Sequence, residues 1–223
     1  MAPAVRFRAA VALLGRFPAL AGVDLDVDPG EVVLVQGANG AGKTSLLRAC
    51  AGLLPVAQGE ARVLGHDLRT GRGRRDVRRH VGLLGHAGFL YDDLTVEDNV
   101  RFAVKAAGLP DPHAATGRAL ERLGLHTRLR TVAVGRLSTG QRRRTALAVV
   151  LAKAPELWLL DEPHAGLDAE SRDTVDAIVK DAAAAGAAVV LASHEIDRAT
   201  ALAHRTLVMA GGHVHEQDRV HVA

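Results

Sequence analysis

The run "EVVLVQGANGAGKT", Glu31 to Thr44, constrains this chain more than any other stretch. A short apolar segment reads as a buried strand. A glycine-rich loop follows, and "KTSLLRACAGLL" reads as a buried helix. The loop "GANGAGKT" fits the spacing G-x-x-x-x-G-K-[ST] in the required context, with a strand before it and a helix after it. Gly37, Gly40 and Gly42 let backbone NH groups turn inward around phosphate oxygens, and Asn39 and Ser45 belong to the same binding set. Lys43 is placed to reach terminal phosphates and the Thr44 hydroxyl to ligate magnesium, at a helix N-terminus that favours anions. A plain glycine turn between strand and helix would carry the same letters, so the company the loop keeps decides its meaning.

That company includes "LWLLDEP", Leu157 to Pro163. Its strand delivers Asp161 at the C-terminal end, where open parallel sheets bind ligands, with Glu162 adjacent. Asp161 is the candidate magnesium ligand, directly or through water, and Glu162 the candidate general base for an attacking water. Between the two sites lies "LSTGQRRR", where Ser138 and Gly140 at the start of a helix offer a hydroxyl and backbone NH groups to an anion. Ser138 is equally a good N-cap, and both roles are compatible.

The rest of the chain fits an α/β domain. With 223 residues and 48% hydrophobic content it suffices for one substantial core with room for an inserted subdomain. Apolar strands "LWLL" and "AAVVLAS" alternate with helical segments, which implies a parallel sheet covered on both faces. The middle region, approximately 88–150, reads as mainly helical; Thr95 caps one helix with Asp98 three residues on, and Pro110 and Pro112 break the pattern before the next. A net charge of +3 is too small for a committed nucleic-acid binder, and the arginine-rich "RTGRGRRDVRRH" reads as a solvated loop and helix face. Cys50, the single cysteine, reads as a small core residue in its helix. The N-terminal stretch lacks a signal-peptide h-region and no run is long enough to span a membrane, so a cytoplasmic protein is expected.

In this order, "GANGAGKT", "LSTGQ", "LLDEP", "AGLD" and "LASHE" resemble the P-loop, signature, Walker B, D-loop and switch-histidine motifs of ABC-type ATPases. The resemblance covers almost the whole chain. It implies a single ABC ATP-binding domain over 1–223, with a RecA-like core, an antiparallel β subdomain and an inserted helical subdomain. It also implies ATP and Mg2+ as ligands and a dimer, expected to be a homodimer, that sandwiches two nucleotides head to tail. Ser138, Gly140 and Gln141 of one subunit would then face the phosphates held by Lys43 of the other. Asp168 would lie at the seam, and His194 would contact the terminal phosphate or the attacking water.

Two positions depart from the family pattern. His86 stands where a glutamine usually senses magnesium and the membrane partner, and Leu14 where an aromatic residue usually stacks on adenine, with Phe17 close enough to substitute. The histidine, the short length and "GANGAGKTSLLRACAGLLPVAQGEARVLGHDL" are similar to the haem-exporter ATP-binding subunits of cytochrome c maturation, the CcmA family. That likeness implies a peripheral subunit on the cytoplasmic face of the inner membrane, docked to integral permease subunits through Phe89 to Val100, with no nucleic-acid partner. Another exporter subunit, for drugs, lipids or ions, and a non-transport ABC ATPase such as an iron-sulfur assembly factor are the alternatives.

Overall fold

The structure is a computed structural model that describes residues 2–85 and 89–216. The chain begins with a long antiparallel hairpin, β1 (Val5–Leu14) and β2 (Phe17–Val27), whose tip pairs Leu14 with Phe17. After β3 (Val32–Gln36) come the loop and helix α1 (Lys43–Cys50), then β4 (Val56–Val63), β5 (His66–Asp67), α2 (Gly71–Val77) and β6 (Val81–Leu84). The middle of the chain is helical: α3 (Val96–Ala106), α4 (Pro112–Arg122), α5 (Thr127–Arg130) and α6 (Thr139–Lys153). The last third alternates β7 (Leu157–Asp161), α7 (Ala169–Ala184), β8 (Ala188–Ala192), α8 (Ile196–Leu202), β9 (Arg205–Ala210) and β10 (His213–Glu216).

Two sheets result. One is antiparallel, in the order β2-β1-β4-β5; the other runs β10-β9-β3-β8-β7-β6 and is parallel except for its β10 edge. The central strands are apolar on both faces because both are covered. In β7, Leu157 and Leu159 face the antiparallel sheet and α1, whereas Trp158 and Leu160 face the helices. The buried indole of Trp158 satisfies its NH on the Pro155 carbonyl at 3.0 Å. The α/β architecture expected from the sequence is present, with the antiparallel sheet and the helical layer beside it.

Local chemistry sets the element ends. Helix α1 stops at Cys50, short of the "AGLL" that its apolar pattern suggested. Gly52 there takes φ +66°, its NH bonds the Ala49 carbonyl at 2.8 Å, and the Leu53 NH bonds the Arg48 carbonyl at 2.9 Å. Pro112 does not break α4 but begins it, where its missing NH costs nothing, and Asp111 caps the Ala114 NH at 3.0 Å. Thr95 caps α3 through the Asp98 NH at 3.1 Å, as its spacing suggested. The Asp98 carboxylate, however, accepts the Thr95 hydroxyl at 2.7 Å instead of reaching the N-cap backbone. The arginine-rich segment forms α2, and not all of it is solvated: Arg74 donates to the Leu68 carbonyl at 2.9 Å and Arg78 to that of Gly52 at 2.7 Å.

Cys50 lies fully inside the core, and burial pushes its thiol up to about 12, because a thiolate there would lose its hydration. The native protein is therefore expected to resist alkylation at mildly alkaline pH, with labelling tracking unfolding across a denaturant series. Rapid modification of folded protein would contradict the packing. Leu159→Ala is expected to lower stability by about 2–5 kcal/mol, measured by chemical denaturation.

Candidate active site

Parallel register brings three strand ends level. Val35 of β3 pairs with Ala192 of β8, which pairs with Asp161 of β7. The residues just beyond these positions, from Gly37, Glu162 and His194 onward, therefore emerge along one edge of the sheet. They border a cavity of about 750 Å3 lined by Asn39, Gly40, Gly42, Lys43, Thr44, Ser45, Asp161, Glu162 and His194, with Leu14 and Phe17 at its mouth. Both mouth residues come from the β1-β2 hairpin tip, and Phe17 is 79% exposed beside Leu14 at 59%.

Two of the loop's glycines, Gly37 and Gly42, are required by space as well as by dihedral angle. Gly37 has φ +146°, and a Cβ on it would lie 2.2 Å from the Met209 carbonyl oxygen. Gly42 has φ +110°, and its Cβ would meet the Ala19 carbonyl oxygen at 2.7 Å. Lys43 is buried, with Nζ donating to the carbonyls of Gly37 at 2.6 Å and Ala38 at 3.1 Å, so the ammonium sits inside the curve of its own loop.

Thr44 Oγ1 donates to Asp161 Oδ2 at 2.8 Å, joining the loop to the end of β7. These hard oxygens, side by side at the start of α1, form a donor set suited to a divalent cation that keeps some of its own waters. Glu162 follows in the left-handed region at φ +51°. Its NH is held by the Ala192 carbonyl at 2.8 Å, and its Oε2 accepts the His194 NH at 3.0 Å. The His194 ring stands 3.5 Å from Oε1 of the same carboxylate.

Ser138, Gly140, Gln141 and Asp168 do not line this cavity. Ser138 and Gln141 form a reciprocal capping box at the start of α6, Ser138 accepting the Gln141 NH at 3.3 Å and Gln141 Oε1 accepting the Ser138 NH at 3.0 Å. A Cβ on Gly140 would lie 3.0 Å from the Gly166 carbonyl oxygen, so the "LSTGQ" and "AGLD" segments touch each other. Asp168 caps α7 through the Ser171 NH at 2.8 Å. Hydrogen bonding to Ser171, helped by the charges of Arg144 and Arg172, holds its carboxyl below the usual range. His86 lies outside the described residues.

Sequence reasoning passed over two buried residues nearby. Arg143 is turned inward behind the end of β7, and burial lowers its pKa while the Asp161 and Glu162 carboxylates oppose that shift. His164, 1% exposed, sits between Glu162 and Asp168 in sequence; its Nε2 lies 2.8 Å from Asp176, which also pairs with Arg198 of α8. A triple-arginine run and a histidine beside "DEP" were the available signals, and neither has a periodicity that marks it as buried.

The sequence model for ABC transporters matches residues 20–165, a stretch that holds the glycine loop, the "LSTGQ" segment and the Asp161–Glu162 pair. The chain belongs to the ABC transporter family. It is an ABC-type ATPase domain. Among its relatives, the cytochrome c biogenesis ATP-binding export protein CcmA of Bordetella bronchiseptica is 44% identical, over 83% of this chain and 82% of that protein. The CcmA 2 protein of Cupriavidus metallidurans is 38% identical, over 78% of this chain and 81% of that protein. In fold, the domain superposes with a TM-score of 0.87 on the dimeric post-hydrolysis ATP-binding cassette MJ0796 bound to ADP and Pi, at 23% identity over 95% of this chain and 98% of that one. No helix among the described residues is long and apolar enough to cross a membrane.

Gly37→Ala is expected to weaken nucleotide binding far more than Gly40→Ala, because only the first places a methyl against backbone. The strained loop should also lose roughly 1–3 kcal/mol of stability. Calorimetric ATP titration together with thermal denaturation of both variants checks this.

Proposed function

We propose that this domain is the ATP-hydrolysing subunit of a haem exporter serving cytochrome c maturation. The observation that carries this reading is the 44% identity to a CcmA protein, sustained over most of both chains. In this reading 1–223 acts as one ATP-binding domain, its helical part over approximately 88–150, peripheral on the cytoplasmic face of the inner membrane. A groove of about 450 Å3 lined by Phe89, Leu90, Tyr91, Asn99 and Phe102 is the seat for an integral permease subunit.

In this reading each residue takes a role that the geometry supports. NH groups of the Gly37–Thr44 loop surround the phosphates of ATP, with Asn39 and Ser45 beside them, and Lys43 exchanges its carbonyl partners for the terminal phosphate oxygens. Phe17, projecting at the mouth, packs on the adenine. Thr44 and Asp161 would hold Mg2+, which when bound neutralises phosphate charge as the terminal group leaves. Glu162 orients the attacking water and takes its proton, while His194 holds that carboxylate and faces the same phosphate. Ser138, Gly140, Gln141 and Asp168, which stand outside the cavity of their own chain, complete the site of a second copy, most simply in a homodimer. His86 replaces the usual glutamine in sensing Mg2+ and the permease.

Glu162→Gln is expected to keep ATP affinity and lose turnover by about a hundredfold or more, the scale for removing a general base. Phosphate release and equilibrium binding measured side by side check this, and wild-type turnover would remove Glu162 from the role. Thr44→Val is expected to weaken Mg2+-dependent ATP binding while leaving Mg2+-free binding nearly unchanged, read by titration with and without chelator. Trapped with ATP and Mg2+ in its native host, tagged Glu162→Gln is expected to bring down a haem-linked permease. A different permease would restrict the reading to export in general, and soluble partners alone would point to a non-transport ATPase.

A further inference from the structure

The sequence "QRRRT" places three arginines in succession on α6, and the structure gives them different surroundings. Arg142 pairs with Asp92 at 2.5 Å and Arg144 lies over the Leu123 carbonyl at 3.4 Å, both partly exposed. Arg143 alone is buried, and every hydrogen bond it makes among the described residues goes to a main-chain carbonyl. Nη2 donates to the carbonyls of both Asp161 and Glu162, and Nη1 to that of Gly85 at 2.9 Å. Among the described residues its Nε is buried without a hydrogen-bond partner. A buried cation that serves only stability usually meets a carboxylate side chain; this one instead gathers carbonyls at the ends of β6 and β7.

Those carbonyls belong to the backbone that presents the general base. Glu162 occupies the left-handed region, where a residue with a side chain stays only if its surroundings hold it. Its NH is fixed by Ala192, its carboxylate by the His194 NH, and its carbonyl by Arg143. Arg143 also lies in the same helix as Ser138, the N-cap of α6, so a shift of that end reaches the Glu162 carbonyl through a rigid element.

We propose that Arg143 is a positioning residue for hydrolysis: its planar fork locks the Asp161–Glu162 backbone in the conformation that aims the base, and couples that backbone to α6 and to the end of β6. The inference rests on Glu162 being the general base. A lysine cannot replace the fork, since one ammonium cannot span the same carbonyls with fixed geometry.

The test is steady-state ATP hydrolysis and equilibrium ATP binding by the full chain carrying Arg143→Gln, Arg143→Lys, Glu162→Gln or Arg143→Gln with Glu162→Gln. Expected are a kcat about tenfold or more below wild type for Arg143→Gln, on the scale of a misplaced catalytic group, and ATP affinity within about twofold of wild type. Arg143→Lys should recover part of the loss. In the double variant, Arg143→Gln should add nothing to the loss caused by Glu162→Gln, because a base already absent cannot be misaimed. If Arg143→Gln does not fold, the same split between lowered kcat and retained affinity is expected of Arg143→Lys, which keeps the buried charge. Wild-type kcat in a folded Arg143 variant, or losses that multiply in the double variant, would overturn the proposal while leaving Glu162 in its role. Wild-type turnover in Glu162→Gln would instead remove the base assignment on which the proposal stands.

Discussion

The parallel backbone pairing of β3, β8 and β7 is the constraint on which the rest depends. Because Val35, Ala192 and Asp161 share one register level, three segments distant in sequence leave the sheet at the same height. A slip of one residue in any pairing would turn that strand's side chains to the opposite face and displace its loop from the others. The apolar layers on both faces oppose such a slip, since Leu157 and Leu159 fill one core while Trp158 and Leu160 fill the other. Site geometry is thus fixed by core packing, and the Thr44–Asp161 hydrogen bond is its local expression.

The candidate site is held tightly on one side and open on the other. Behind the strand ends, Lys43, Asp161, Arg143 and His164 are buried and bonded. Toward solvent stand Phe17, Leu14 and His194, on a hairpin tip and a loop. The signature and D-loop segments pack against one another at Gly140 and Gly166 but lend nothing to the cavity of their own chain. Among the described residues the site has a fixed floor and no roof, which suits a reaction completed by a second surface. That is the arrangement the proposed dimer supplies.

Much of this was legible in the sequence because the information is local. The strand-loop-helix around "GANGAGKT", the end of "LWLLDEP", and the caps at Thr95 and Ser138 follow from short-range rules, and the structure has each of these features. The errors were also local in origin. Periodicity carried α1 past Cys50 because it cannot see the turn at Gly52, and Pro112 read as a breaker because a proline at a first helical turn looks the same as one between helices. What could not be read was long-range: Arg143 meets carbonyls at the ends of β6 and β7, and His164 meets a helix twelve residues on. No pattern of spacing marks the one inward arginine in a row of three.

In the proposed reading these strand ends form half of an ATP site, which a second copy of the chain completes. Sedimentation equilibrium of purified Glu162→Gln protein, with ATP and Mg2+ and then with the nucleotide removed, tests this most directly. The expected result is a dimer holding two ATP molecules that returns to monomer when nucleotide is withdrawn. A protein that binds ATP fully yet remains monomeric at every concentration would contradict it.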